Sequence, residues 1–142
     1  CDDLSGPSLP FLWLNMVANG TTNSSNTPFG HGTQVVGVCS QDHFGWLDAD
    51  KRFEVSSIGV YEILLNASIT STASQTVVLD LDLGGVTVYS TDVQIHTLTD
   101  PNFVTLLWVG LIRPTQYVHI NRNAGSNLTF DKNSSLLVRR LA

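Results

Sequence analysis

Two pairs of carboxylates stand at a spacing that could bind a metal ion: Asp48 with Asp50, and Asp80 with Asp82. Residues two apart on a strand point to the same face, so each pair could offer oxygen ligands to a hard cation such as calcium. The first pair stands in a predicted loop and is the better calcium candidate. The second alternates with leucines along a predicted strand and is expected to face water. The alternative for both pairs is a solvated polar surface without a metal.

The sequence carries none of the spacings that mark a catalytic site. There is no histidine pair at metal-ligand spacing, no Gly-x-Ser-x-Gly elbow, no phosphate-binding loop and no Cys-His nucleophile pattern. His96 and His119 alternate with apolar neighbours in predicted strands, which places them toward solvent or an interface. We therefore expect a protein that is not an enzyme and, apart from the calcium candidates, needs no cofactor.

Two cysteines are present, Cys1 and Cys39. In an oxidising compartment they could form a disulfide that fixes the N-terminal segment to the domain. The alternatives are a buried, unpaired Cys39 with an incidental Cys1, or an N-terminal cysteine that carries a lipid.

Five asparagines stand in Asn-x-Ser/Thr triplets, the acceptor pattern for N-glycosylation: Asn19, Asn23, Asn66, Asn127 and Asn133. Asn19 and Asn23 fall in a long polar segment and are the best candidates for glycan attachment along a eukaryotic secretory route. The alternative is chance, because the chain is rich in Asn, Ser and Thr.

The composition favours a single extracellular or surface-exposed domain over residues 1–142, with 1–9 as a lead-in from an upstream region. Of the 142 residues 42% are hydrophobic and only 13% are charged, so Ser, Thr and Asn must supply much of the polar surface. The net charge of −5 without a basic cluster argues against nucleic-acid binding. No apolar run reaches the length of about 18 residues that would predict membrane insertion.

Alternation of apolar and polar residues dominates the chain and predicts strands throughout. In the segment 61–69 one face carries Tyr61, Ile63, Leu65 and Ile69. Gly84-Gly85 predicts a tight hairpin turn between two strands. About ten short strands at regular spacing predict an all-β fold, an antiparallel β-sandwich of the jelly-roll type. The predicted strands outside these segments are Phe11–Val17, Gln34–Cys39, Arg52–Ser56, Val93–Leu98, Phe103–Ile112, Gln116–Asn121, Asn127–Phe130 and Ser135–Leu141.

The strand 103–112 breaks the alternation because both of its faces are apolar. Leu107, Val109 and Leu111 share one face, while the other includes Leu106 and Trp108. One face of an antiparallel sheet is usually solvated, so a second apolar face predicts a cover. We expect another copy of the chain to provide it; the alternative is a central strand covered by loops.

The segment "FEVSSIGVYEILLNASI" resembles the tumour-necrosis-factor-like and complement globular-head superfamily, which includes bacterial spore-surface collagen-like glycoproteins. Gly59, Val60 and Tyr61 match the signature that opens a long inner strand there, and Phe53 and Val55 match the strand before it. In this frame Gly59 is expected to allow a sharp backbone turn into the strand. Later pieces fit the same frame over about four-fifths of the chain, although Pro114-Thr115 replaces the usual Gly-Asp turn.

The resemblance implies a TNF-like jelly roll that assembles as a homotrimer, with aromatic side chains meeting near the threefold axis. The candidates for this interface are Tyr61, Tyr89, Trp108 and Tyr117.

Our leading functional hypothesis is a non-enzymatic trimeric head of a spike, fibre or surface filament on a virion or cell. Its loops 18–33, 40–50 and 71–75 would bind a host receptor or a glycan. One alternative is a secreted signalling ligand of the tumour-necrosis-factor or complement-head kind. Another is a carbohydrate-binding jelly roll, for which Trp46 is the tryptophan in a predicted loop.

Overall fold

A computed structural model describes residues 11–16, 20–21, 34–39, 44–47, 52–70, 74–95, 102–124, 129–132 and 134–142. These residues contain twelve β-strands: β1 (Phe11–Met16), β2 (Gly20–Thr21), β3 (Gln34–Cys39), β4 (Phe44–Leu47), β5 (Arg52–Val55), β6 (Gly59–Thr70), β7 (Gln75–Leu83), β8 (Val86–Ile95), β9 (Asn102–Ile112), β10 (Val118–Ala124), β11 (Thr129–Phe130) and β12 (Ser135–Arg140).

The strands form two antiparallel sheets. We call the first the β6 sheet: it runs β2-β11-β6-β12-β1-β3, and β9 pairs with the other side of β6. We call the second the β7 sheet, in the order β4-β5-β10-β7-β8. The inner faces of the two sheets pack together as a sandwich, which confirms the predicted all-β jelly-roll class.

The predicted inner face of β6 is confirmed, because every second residue from Gly59 to Ile69 is buried. Tyr61, Ile63 and Leu65 have no exposed surface. They meet β7 and β10 residues from the opposite sheet in one core, which also contains Phe53, Val55, Ala67, Ile69, Leu79, Leu81, Leu83, Val104, Leu106, Ile112, Val118, Ile120, Phe130, Leu136 and Val138. Burial of this apolar surface is the main source of stability of the fold.

The prediction of a loop over 40–50 is wrong in part, because β4 lies within this range and pairs with β5. Phe44 is buried, with its ring edge-on to Phe53 and Tyr61 at centroid distances of 6.4 and 6.1 Å. Trp46 therefore belongs to a strand and not to a loop. Four residues containing a glycine are too few to display an alternation, so this strand had no visible signal in the sequence.

Strand β8 also departs from the prediction, since it continues from Val86 to Ile95 where two strands were expected, one over 86–90 after the Gly84-Gly85 turn and one over Val93–Leu98. Its pairing with β7 shifts register between Leu81 and Asp82. The expected break at Thr91-Asp92 came from two consecutive polar residues, yet both pair regularly with Leu79 and Val78 of β7, so the strand continues through them.

The predicted turns are confirmed. Gly84 and Gly85 have φ angles of 57° and 87°, the left-handed pair that a two-residue turn of type I′ requires. Arg113 and Gln116 close the turn at Pro114-Thr115 through a backbone hydrogen bond of 3.0 Å from Gln116 N–H to Arg113 O.

Gly59 has a different role from the expected one. Its φ is not among the positive values of the described glycines, so no left-handed turn requires it. A Cβ there would lie 2.8 Å from both Ala142 O and Arg140 Nε. Glycine is needed because the last residues of the chain pass this close to it, and Val60 N–H donates to Ala142 O at 2.9 Å.

Within the described ranges, no helix has the length and apolar character required to cross a membrane.

Candidate functional site

The outer face of β9 exposes a row of large apolar side chains. Phe103, Leu107, Val109 and Leu111 are 81%, 53%, 50% and 46% exposed. The alternate residues Val104, Leu106 and Ile112 are buried in the core. The prediction that this strand is apolar on both faces is therefore confirmed.

Register extends this row across the β6 sheet. Leu107 lies beside Leu64, which lies beside Leu137, which lies beside Trp13 on β1. Leu64 and Leu137 are half-buried and Trp13 is 38% exposed. Four strands therefore present one apolar row to solvent.

A second apolar row crosses β6 at Val60, four residues before Leu64. Val60 pairs with Leu111, and Leu141 N–H donates to Val60 O at 2.7 Å. Leu141 is exposed. We call the surface formed by these two rows and two further β9 residues the apolar face: Trp13, Val60, Leu64, Phe103, Leu107, Val109, Leu111, Leu137 and Leu141. Contiguous exposed apolar surface on this scale is characteristic of interaction sites.

One ion pair lies between the two rows. Glu62 pairs with Arg139 on one side and with Val109 on the other. The Arg139 guanidinium donates twice to the Glu62 carboxylate, from Nε at 3.1 Å and from Nη2 at 3.2 Å. The two charges thus cancel locally within the apolar face.

An open cleft of about 400 Å³ adjoins the apolar face at its Phe103 end. Thr105 donates a hydrogen bond of 3.0 Å to the Asn66 amide oxygen, and Ser68 donates one of 2.9 Å to Asp131. The cleft is lined by Asn66, Ala67, Ser68, Phe103, Val104, Thr105 and Lys132. An exposed aromatic ring next to amide and hydroxyl groups is a combination that can accept a sugar.

Tyr61 is wrongly predicted as an interface residue. Its side chain is fully buried within the chain, and its hydroxyl donates to Ser57 O at 2.9 Å. Burial raises the pKa of this hydroxyl above its ordinary value of 10.0, while the hydrogen bond to Ser57 and the nearby Arg140 partly lower it. No surface of Tyr61 is left for another copy to contact.

The other three aromatic candidates do not lie on the apolar face. Trp108 is half-buried on the core side of β9, where its ring covers Gly110. Tyr89 is 40% exposed on β8, the edge strand of the β7 sheet, which contacts β9. Tyr117 lies next to the outer face of the β7 sheet, with the Arg52 guanidinium 4.2 Å from its ring centroid. Their roles in assembly stay predictions.

The outer face of the β7 sheet is polar. His119 Nε2 lies 3.1 Å from Asp82 Oδ2, and the Thr87 hydroxyl donates to Asp82 Oδ1 at 2.8 Å. The Ser90 hydroxyl donates to Asp80. The expectation that both carboxylates face water is wrong, since Asp80 and Asp82 are 4% and 6% exposed. Side chains from β8, across the hairpin, and His119 from β10 cover them.

No cluster of three or more potential metal ligands occurs in the part of the chain that the structure describes. The calcium candidates Asp48 and Asp50 lie outside it, as do Cys1, Asn19, Asn23, Asn127 and Asn133. The backbone of Cys39 ends β3. Asn66 is exposed on the outer face of β6. The disulfide, the glycosylation sites and calcium binding therefore stay predictions.

Sequence reasoning missed the contributions of β1, β6 and β12 to the apolar face. Leu64 and Leu137 were detectable in the sequence, because each is an apolar residue between two polar residues on the same face of its strand; Trp13, in an apolar segment, was not. Only the register between strands shows that they meet Leu107.

Comparison with known proteins identifies the fold. No family model matches the chain, and no curated protein sequence matches it. Solved structures match the chain in fold. A tumour necrosis factor from S. frugiperda, Eiger, superposes with a TM-score of 0.72 and 12% identity over 94% of this chain and 92% of its own.

Two further structures agree. Murine APRIL matches with a TM-score of 0.70 and 10% identity, covering 94% of this chain and 100% of its own. The globular domain of zebrafish complement 1qA matches with a TM-score of 0.61 and 14% identity, covering 96% and 98%. The chain therefore has the jelly-roll fold of the TNF-like and complement globular-head domains.

Proposed function

We propose that the chain is a self-associating head domain, a homotrimer that recognises a partner through surfaces outside the trimer contact. The observation that carries the proposal is the apolar face on the outside of β9 and β6. In the described ranges no helix or further sheet covers it. Burial of this surface in a closed assembly would remove an aggregation hazard and stabilise the complex.

The position of the face favours a ring. The apolar face reaches β9, which pairs with no described strand other than β6. Around the same side of the sandwich, Val88 and Tyr89 of β8 are 37% and 40% exposed. An edge that packs on a different surface of the next copy is a heterologous contact, and such contacts form a ring when the rotation between copies closes. The superfamily resemblance implies three copies.

Recognition is proposed for the end of the sandwich where several strands meet. Thr70 pairs with Thr129, Ile95 with Gln75 and Ala124 with Val78. Strands β6, β8 and β10 end here at Thr70, Ile95 and Ala124, and β7 begins here at Gln75. The predicted contact loop 71–75, whose last residue begins β7, directly follows Thr70 in the sequence. The predicted loop 18–33 is wrong in part, because β2 lies within it and pairs with β11 beside Thr70. A receptor or a glycan on a virion or cell surface is the proposed partner, and a secreted signalling ligand with a receptor fits the same geometry.

A carbohydrate-binding role is the second candidate, and the cleft beside Phe103 favours it. Glycan-array binding that is lost in Phe103→Ala and kept in Val86→Ala, an exposed apolar position on β8, would support it. Equal binding by both variants would exclude the cleft as the sugar site.

The proposed assembly is tested by the mass of the purified domain in sedimentation equilibrium over a wide range of concentrations. A trimer that dissociates only on strong dilution is expected. A monomer at all concentrations would contradict the proposal, because the apolar face would then need a foreign partner.

A further inference from the structure

We propose that the Glu62–Arg139 pair controls which surfaces the apolar face accepts: the contact with a second copy can bury the pair but cannot bury either charge alone. This inference rests on the proposed trimer and adds a specificity-determining element to it.

The position of the pair is the first observation. Same-face residues on a strand are about 7 Å apart, so Glu62 lies about 7 Å from Val60 on one side and from Leu64 on the other. Val109 flanks it on β9 at 50% exposure. Any subunit that covers both apolar rows must also cover the ion pair between them.

The geometry of the pair is the second observation. Both hydrogen bonds run from one guanidinium edge to the two oxygens of one carboxylate, at 3.1 and 3.2 Å. A bidentate arginine–carboxylate pair satisfies its main donors and acceptors without outside help. The apolar face therefore presents no net charge at its centre, and a second copy needs no complementary charge to cover it.

Exposure gives the third observation. The Arg139 side chain is 52% exposed and that of Glu62 is 18% exposed in the single chain. An ion pair in contact with water contributes little to folding. The same pair shielded from water is different, because removal of one partner leaves an uncompensated buried charge. Loss of one charge should thus weaken assembly far more than it weakens the folded subunit.

The test is a double-mutant cycle on association. Glu62→Gln and Arg139→Gln are compared with the variant that carries both changes, by sedimentation equilibrium. Each single change is expected to weaken association at least about 100-fold, since one charge is buried alone. The double variant, which buries no charge, is expected to recover to within about tenfold of the wild type. Glu54→Gln, an exposed carboxylate on the other sheet, is the matched control and should leave association unchanged.

Thermal melting of each variant at a concentration where it is monomeric separates folding from assembly. Unchanged melting with weakened association supports the inference. Wild-type association in both single variants, or equal losses that simply add in the double variant, would overturn it while the trimer stands. A wild-type chain that is always monomeric would overturn the trimer and this inference together.

Discussion

At the scale of single residues, Gly59 is constrained by the backbone and side chain that pass close to it. The segment 140–142 passes directly over it, with Arg140 donating to Ser57 Oγ, Ile58 O and Ala142 O. Arg140 thereby holds the start of β6 and the end of the chain together. Glycine stands at this position because of the contact and not because of an unusual backbone angle.

Substitution of Gly59 by alanine should destabilise the fold. The new Cβ would lie 2.8 Å from a backbone oxygen, so the terminal segment must shift and its hydrogen bonds with Val60 must weaken. We expect a loss of about 1–3 kcal/mol, the usual cost of overpacking, measured as a lower urea midpoint.

Gly45→Ala is the matched control, since a Cβ at this β4 glycine would meet nothing within 4 Å. It should be neutral or slightly stabilising, because alanine loses less backbone entropy on folding than glycine does. Equal destabilisation by both variants would contradict the assignment of the Gly59→Ala effect to the contact with Ala142.

At the scale of elements, the β7–β8 hairpin depends on its two left-handed residues. Asparagine tolerates this conformation, and Asn-Gly is the preferred sequence for a type I′ turn. Gly84→Asn should therefore leave the unfolding free energy nearly unchanged. Gly85→Ala should lower it by about 1–2 kcal/mol, the cost of a left-handed backbone for a residue with a Cβ. Urea denaturation of both variants checks this, and a reversed order would mean that the turn is not of type I′.

Sequence alternation predicted the long strands well for a physical reason. In β6 and β9 one face packs against a core, so every second residue is apolar regardless of what happens elsewhere. It failed for β4, which is short, and for β8, where the consecutive polar residues Thr91 and Asp92 were read as a break although both pair with β7. It also misjudged Asp82, because the His119 imidazole that covers it comes from β10, 37 residues away.

The candidate site was predictable only in part, because it combines strands that are brought together by pairing and not by sequence. The apolar outer side of β9 is visible in the sequence, because Leu107, Val109 and Leu111 interrupt an expected polar pattern. Which aromatic residues accompany it depends on lateral pairing, which a sequence does not show. Tyr61 therefore proved to be a core residue, while Trp13 lies on the face.

At the scale of the whole molecule, the two outer faces of the sandwich differ in character. The β7 sheet covers its carboxylates with Thr87, Ser90 and His119 and has a polar outside. The β6 sheet has the apolar face. Such a division suits a molecule that buries one side against its copies and keeps the other in water.

A charge placed on the apolar face should therefore separate assembly from folding. Leu107 is 53% exposed in the single chain, so lysine at this position can keep its ammonium group in water and should leave the melting of the monomer nearly unchanged. In the assembly the same charge would be buried without a partner, at a cost of about 3–5 kcal/mol, so Leu107→Lys should be monomeric where the wild type is a trimer. Val86→Lys, 65% exposed on the other sheet, is the control and should sediment like the wild type. A Leu107→Lys protein with the wild-type mass would place the subunit contact elsewhere, and the apolar face would then have to serve a different partner.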